Sequence, residues 1–550
     1  MMQGCVPIPE EYARRYRENG YWEDITIPQF FHGLAASAQE RLAVIEGEQR
    51  MTWGGLWERV RWMSAHFHRL GLGGQQRVVF QMPNSIDFLV VFLALIRVGA
   101  IPVMALYAHR ENEIGHFTRS ASASALVVPD RTKDFDFREM AEAIRGQVDS
   151  VKHVLVMGEA LAGQISLSEL MAIEPLAADM AAADAITLDP CEVALMLLSG
   201  GTTALSKLIP RTHNDYLFNF KQAGRLAGFC PDTVLLAILP MAHNYMLGSP
   251  GVLGALAHGG RVVVSPKGDV DTVFSLVQRE KITCIPAAVP LVVNWLNNPN
   301  LGDYDTSSVK LVQSGGARLS PELRDRIRKK LGCQYQEIYG TAEGLLSFTR
   351  LDDPDHLVLE TSGAPMCEDD EIKVLDNDDK DVPDGQPGEL VVRGPYTIRG
   401  YYNLPEKDRE AFTRDGFYRM GDIVRKQGRY VSTEGRKKDL INRGGEKISA
   451  DEVEDLIIQH PAVKGVMVVA MPDPVYGEKA CACVTLVPKG RLTLDEIKEF
   501  LLAKKIAKFK LPERLEILEE FPLSPAGKIL RRKLRENIEA MVAMEQGKIQ

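Results

Sequence analysis

Residues 199–213 read SGGTTALSKLIPRTH, and their types suit phosphate chemistry. Ser199, Gly200, Gly201, Thr202 and Thr203 are small enough for a backbone to bend tightly and turn its N–H groups outward. Such a run can wrap phosphate oxygens with amides and hydroxyls, and Lys207 adds a mobile positive charge. The spacing is not that of a P-loop, which needs Gly, four residues, then Gly-Lys-Ser/Thr opening a helix. Read alone, the run serves equally as a polar turn after the strand-length apolar run Val193 to Leu198.

Four further stretches carry chemistry-bearing residues. MAHNYMLGSPG, from Met241 to Gly251, sets His243, Asn244, Tyr245 and Ser249 beside a strand end, where binding residues concentrate. A lone histidine there is ordinarily structural. SGGA (Ser314 to Ala317) has two adjacent glycines, Gly315 and Gly316, that let a flat ring approach the backbone. It pairs with IYGTAEG, whose single carboxylate, Glu343, would suit Mg²⁺ beside phosphates, although a carboxylate after a turn is ordinarily just solvated. YRMGD ends in Asp422, at the start of a predicted strand, and GRKKDLINRGGEKI follows from Gly435. Last comes PLSPAGK, with Lys528 just before a basic helix; a lysine there is normally solvated.

The elements that must position these residues alternate. A short helix is predicted over residues 10–19, a helix after a Thr52 N-cap, strands at 77–82, 99–106 and 124–128, and a buried helix at 86–98. Further strands are expected at 235–239, 309–312 and 335–339, with a helix over 214–227. This alternation implies parallel sheets covered by helices. The Ala-rich stretch 157–190 reads as little more than a surface connection. From Ile372 to Gly394, short strands and Asp/Gly/Pro turns suggest a small β-rich subdomain at about 365–435. Its acidic turn, Asp376 to Asp381, lacks the Gly and distal Glu of a calcium loop. The fold class is therefore α/β: a large N-terminal domain, 1–437, then a small α+β C-terminal domain, 438–550. The latter has helices opened by Ser449 and Thr493 and strands at 465–470 and 480–487.

Composition narrows the class. At 550 residues, 45% hydrophobic and 25% charged, the chain is that of a globular protein with ample volume for cores. Its net charge of −9 argues against a general nucleic-acid or anionic-membrane binder. The eight cysteines show no metal-ligand spacing, and Cys481 and Cys483 share one face of a predicted strand. No signal peptide opens the chain, and the apolar run 88–106 is broken by Arg97, Gly99 and Pro102, so a cytoplasmic location is expected.

The order and spacing of the five stretches resemble the adenylate-forming superfamily of acyl-CoA synthetases, peptide-synthetase adenylation domains and luciferases. LIPRTH, AHNY, YGTAEGLLSFTRLDD and the opening VPIPEEYARRYRENGYW are similar to its siderophore branch, the 2,3-dihydroxybenzoate–AMP ligases. The resemblance implies ATP and Mg²⁺, an aryl-acid substrate and the phosphopantetheine thiol of an aryl carrier protein, in a monomer or homodimer. It assigns the β- and γ-phosphates to the glycine-rich loop and Lys207, and adenine to Gly315, Gly316, Ala317 and Tyr339. Thr341 would bond the α-phosphate, Glu343 would hold Mg²⁺, and Asp422 with Arg436 would meet the ribose. Asn244 and Ser249 would meet the ring hydroxyls, with Tyr245, Ile338 and Leu346 around the ring, and His243 and Lys528 beside the reacting groups. Lys438 would be the hinge about which the C-terminal domain turns, and Gly444–Gly445 would line the thiol's path.

The chain departs from that pattern at Ala204 (Gly expected), Ser206 (Pro), Met246 (Pro), Gly248 (Ser) and Thr341, where aryl-acid ligases often carry Met. Gly248 is expected to widen the acyl pocket. Salicylate activation, an acyl-CoA ligase of the same fold and a silent nucleotide-binding regulator remain as alternatives.

Overall fold

The structure is a computed structural model; it describes the chain except for residues 200–205, 317, 318, 438, 444, 445, 474, 505, 507, 525, 526 and 546–550, and the side chains of 446 and 447. Four sheets organise the described residues.

A seven-stranded sheet runs in the order Ile165–Ser166, His153–Met157, Ala125–Pro129, Arg77–Gln81, Ile101–Ala105, Val193–Leu198, Leu208–Thr212. All neighbours are parallel except the last pair, which is antiparallel. The inner strands are continuous apolar runs, as parallel strands covered on both faces require. The helix Ile86–Arg97 covers this sheet; Ser85 caps it, and every residue from Phe88 to Ile96 is buried.

A nine-stranded sheet carries most of the site. Its order is Ala364–Pro365, Gly344–Phe348, Gln334–Thr341, Leu311–Gly315, Cys284–Ala287, Val234–Ala237, Arg261–Val264, Leu42–Glu46, Gln49–Thr52. The predicted helix before Gly20 is Glu10–Glu18. Arg15 ties it to Glu371 at 3.1 Å, and Trp22 just beyond it donates to the Pro395 carbonyl, so the opening segment braces the β-rich subdomain. That subdomain is an antiparallel sheet of Glu371–Leu375, Pro387–Arg393, Tyr418–Gln427 and Tyr430–Arg436. The acidic turn closes on itself: Asp376 accepts from the Asp378 and Lys380 amides.

The C-terminal unit is built on the hairpin Val463–Asp473 and Gly477–Leu486. Ser449 caps the helix Ala450–Ile457, and Thr493 forms a full capping box. Cys481 and Cys483 pack with Leu534, Ile538 and Val542 of the terminal helix Arg531–Glu545.

Three expectations need correction. Residues 157–190 hold two helices, Leu167–Ala172 and Ala177–Asp184, rather than a bare connection. Alanine's intrinsic helix preference needs no strong pattern when Asp184 anchors the end through ion pairs with Arg61 and Arg97. The stretch after Met241 forms a short helix, Asn244–Gly248, instead of an open loop. Asp422 stands in the middle of the ten-residue strand Tyr418–Gln427, not at its start.

Candidate active site

The strands Val193–Leu198 and Leu208–Thr212 pair antiparallel, and residues 199–207 join them. Ser199 donates its amide to the Lys207 carbonyl at 3.0 Å, and the Lys207 amide donates to Ser199 Oγ at 2.9 Å. The two ends of the glycine-rich segment are thus clamped. Gly200, Gly201, Thr202, Thr203 and Ala204 themselves lie outside the described residues, as do Ala317, Lys438, Gly444 and Gly445.

Lys207 Nζ sits 3.8 Å from the centroid of the Tyr401 ring. The Tyr401 hydroxyl donates to Glu343 Oε1 at 2.9 Å. One tyrosine therefore holds both the cation of the glycine-rich segment and the carboxylate of IYGTAEG. Burial lowers the Lys207 pKa, while Glu343 opposes that shift. Glu343 is only 6% exposed. The described residues contain no cluster of three His, Cys, Asp or Glu side chains able to hold a metal alone. A single carboxylate fits Mg²⁺, which takes its remaining oxygens from phosphate and water. Thr341 Oγ1 donates to the Gly344 carbonyl, closing the turn that carries Glu343.

Asp422 is buried between two partners. The Tyr339 hydroxyl donates to Oδ2 and Arg436 Nε donates to Oδ1, each at 2.7 Å. Burial raises the Asp422 pKa, and Arg436 works against it. The sequence pairing of Asp422 with Arg436 is present as an ion pair across strands Tyr418–Gln427 and Tyr430–Arg436.

Lys528 reaches into this cluster from the C-terminal unit. A Cβ added at Gly316 would fall 3.1 Å from Lys528 Cε, so the lysine stem lies over the bare backbone of Gly316. Burial and the nearby Arg436 lower the Lys528 pKa; Glu343 and Asp422 are close enough to raise it. His243, at the N-cap of the Asn244–Gly248 helix, accepts the Tyr245 amide through Nδ1. Burial and the charge of Lys528 hold its pKa at about 3, so it is neutral near pH 7.

The Asn244–Gly248 helix and Ser249 pack against the strand ends. The Tyr245 ring fills the space beside Gly315, where an added Cβ would lie 3.0 Å from Cε2. Ile338 and Leu346 are both buried, on opposite strands of the Gln334–Thr341 and Gly344–Phe348 pair. Asn244 Nδ2 donates to Ser249 Oγ at 3.1 Å, and Asn244 Oδ1 accepts from the Tyr216 hydroxyl at 2.9 Å. The expected widening at Gly248 does not occur: a Cβ there would be 2.6 Å from the Tyr216 hydroxyl. The volume a serine would have used is filled by tyrosine.

Sequence reasoning passed over Tyr401, Tyr216, Arg211 and Asn219. Arg211 is fully buried, pairs with Asp215 at 2.8 Å, and donates to the Ala342 carbonyl and to Asn219 Oδ1. Asn219 in turn donates to the Gly248 carbonyl. One buried arginine thereby braces both the Thr341–Glu343 turn and the turn at Ser249. The signal was present in RTHNDYLFN: Arg211, Asp215 and Asn219 recur every four residues, and the last two share one helix face.

Residues 31–402 match the family of AMP-binding enzymes, and residues 452–528 match the AMP-binding enzyme C-terminal domain. The chain is 42% identical over 540 residues to the 2,3-dihydroxybenzoate-AMP ligase of Bacillus subtilis (strain 168), covering 98% of each. It is 41% identical over 541 residues to a salicylyl-CoA synthase / salicylate adenylyltransferase of a Streptomyces species, covering 97% of each. Among solved structures, apo MbtA of Mycobacterium smegmatis superposes with a TM-score of 0.73 at 36% identity, over 97% of this chain and 98% of that one. With one family description spanning its large sheets and another its C-terminal unit, and relatives aligned end to end, this chain belongs to the AMP-binding enzymes.

Proposed function

We propose that the protein is a 2,3-dihydroxybenzoate–AMP ligase. It activates the aryl acid with ATP and passes the acyl group to the phosphopantetheine thiol of an aryl carrier protein in siderophore synthesis. The observation that carries the substrate assignment is the Asn244–Ser249 pair. Two buried polar side chains are hydrogen-bonded to each other at 3.1 Å, and the family resemblance aims them at neighbouring ring hydroxyls. The relatives include both a dihydroxybenzoate and a salicylate enzyme at nearly equal identity, so overall similarity does not separate the two acids.

In this reading the aryl carboxylate attacks the α-phosphorus of ATP and pyrophosphate leaves. The protein's task is to hold the oxygens in line and to neutralise charge. Lys528 spans the carboxylate and α-phosphate, and Lys207 with the glycine-rich segment takes the β- and γ-phosphates. The ribose displaces the Tyr339 hydroxyl from Asp422. Glu343 would hold Mg²⁺, which would screen the phosphate charge. Neutral His243 orients the Asn244–Gly248 helix through the Tyr245 amide and moves no proton. Lys528 lying over Gly316 supports reading this conformation as the one suited to adenylation. Thioester formation then requires the C-terminal domain, beginning at Lys438, to turn and bring Gly444–Gly445 to the pantetheine arm. No described helix is long and apolar enough to cross a membrane; a cytoplasmic enzyme is part of the proposal.

The test is ATP–pyrophosphate exchange against 2,3-dihydroxybenzoate, salicylate and benzoate. The expected order is that one, with dihydroxybenzoate ahead of salicylate by about tenfold, the low end for one unsatisfied buried hydroxyl. A preference for salicylate would overturn the assignment of Ser249 to the 3-hydroxyl.

A further inference from the structure

We infer that Tyr216, seated in the space left by Gly248, fixes the amide of Asn244 so that it offers a donor to the ring's 2-substituent, making the enzyme select 2-hydroxy over 2-amino aryl acids. The inference rests on the aryl-acid reading and deepens it.

The geometry begins at Gly248. Its missing side chain admits the Tyr216 hydroxyl to within 2.6 Å of where a Cβ would be, and a Cβ–heavy-atom contact that short is not tolerated. Tyr216 is completely buried. Its hydroxyl proton therefore needs an acceptor inside the protein. Among the described residues that acceptor is Asn244 Oδ1, at 2.9 Å. The arrangement decides which way the amide faces. Were the amide rotated by half a turn, Nδ2 would donate to the phenol oxygen, and the phenol proton would be left without an acceptor. Burial pushes the Tyr216 pKa up, so the proton is present across the working pH range. The carbonyl oxygen of Asn244 is thus held toward Tyr216, one N–H of its NH₂ group goes to Ser249 Oγ, and the second N–H is the one the inference gives to the ligand.

The chemistry of the ring follows. In a 2-hydroxybenzoate the hydroxyl proton is directed to its own carboxylate, leaving oxygen lone pairs to accept from Asn244. In a 2-aminobenzoate one N–H is directed to the carboxylate and the other points outward, toward a group that also donates. Its nitrogen lone pair is delocalised into the ring and accepts poorly. Two donors then face each other in a buried site, which costs the amino acid about tenfold to a hundredfold in kcat/KM. A tyrosine that touches no substrate atom sets this choice, which makes it a positioning residue.

The experiment is kcat/KM in ATP–pyrophosphate exchange for 2-hydroxybenzoate and 2-aminobenzoate, measured on wild type, Tyr216→Phe and Gly248→Ala, with thermal denaturation of each. Wild type is expected to favour the hydroxy acid by about tenfold to a hundredfold. Tyr216→Phe frees Oδ1, lets the amide turn, and is expected to narrow the ratio by about tenfold, through a gain on the amino acid. Gly248→Ala displaces the hydroxyl from the other side and is expected to narrow the ratio in the same direction, which keeps the inference testable if the phenylalanine variant folds poorly. Equal losses on both acids in both variants would make Tyr216 merely structural and overturn the inference, as would a wild type that favours the amino acid. Wild type inactive on every aryl acid would overturn the parent reading together with this one, whereas an active wild type whose ratio neither variant moves overturns this one alone.

Discussion

Replacing Gly316 with alanine should damage the first half-reaction more than the second. Gly316 has φ of +83°, a conformation that costs an L-residue about 1–2 kcal/mol. The new Cβ would also stand 3.1 Å from Lys528 Cε and 3.4 Å from Nζ. Carbon atoms rest at about 3.5–4.0 Å, so the lysine must retreat by a few tenths of an ångström. A misplacement of about 1 Å at a reacting centre costs about 10²-fold, and this smaller one should cost about tenfold in adenylation. Removing the charge altogether, in Lys528→Ala, should cost about 10²–10³-fold. The two assays are ATP–pyrophosphate exchange for the first step and transfer from pre-formed aryl-adenylate to a pantetheine thiol for the second. Lys528→Ala should keep the second step near the wild-type rate, since Lys528 has by then left the site, and Gly316→Ala should lose less there than in exchange, since only the strain and the adenine contact at Gly316 persist. Equal losses in both steps would refute the alternation, and a Gly316→Ala enzyme with unimpaired exchange would refute the contact.

Other consequences are as direct. Lys438→Pro fixes φ near about −65° and removes an N–H; exchange should survive while thioester formation drops, and normal rates in both steps would move the hinge elsewhere. His243 should not titrate in the rate profile. Its folded pKa of about 3 lies below the ordinary 6.5, so the stability it contributes is present above pH 6.5 and lost as the pH falls toward 3, because the unfolded chain binds the proton first. His243→Asn should leave the shape of the exchange profile between about pH 6 and 8 unchanged; a step near 6.5 that vanishes in the variant would contradict this. Ser249→Ala should shrink the preference for 2,3-dihydroxybenzoate over salicylate mainly by hurting the former, and Asn244→Ala should weaken both, as kcat/KM for the two acids will show.

Part of the site was legible because some of its residues, Gly315 and Thr341 among them, sit where strands end, although Asp422 stands in mid-strand. Ser199 and Lys207 meet within one short stretch, and Asp422 with Arg436 and Asn244 with Ser249 fall together as the family resemblance implied. What the sequence hid were partners supplied from far along the chain. Tyr401 lies 58 residues from Glu343, and Tyr216 lies 28 from Asn244; neither separation leaves a local pattern. The Gly248 expectation went wrong for that reason. A missing side chain reads as empty space in one dimension, whereas here Tyr216 of a neighbouring helix occupies it. Periodicity also says little where alanine dominates, so the helix Ala177–Asp184 needed the anchors at Asp184 to be seen, while Leu167–Ala172 is a short helix capped by Ser166.

The central claim is that this chain joins an aryl acid to AMP. Isotope exchange between pyrophosphate and ATP, run with purified protein, Mg²⁺ and either 2,3-dihydroxybenzoate, salicylate, benzoate or a fatty acid, addresses it most directly. The account predicts acid-dependent exchange that is strongest with 2,3-dihydroxybenzoate, weaker with salicylate, and about 10²–10³-fold lower in Lys528→Ala. Exchange that is absent with every aryl acid, or that is strongest with the fatty acid, would contradict it.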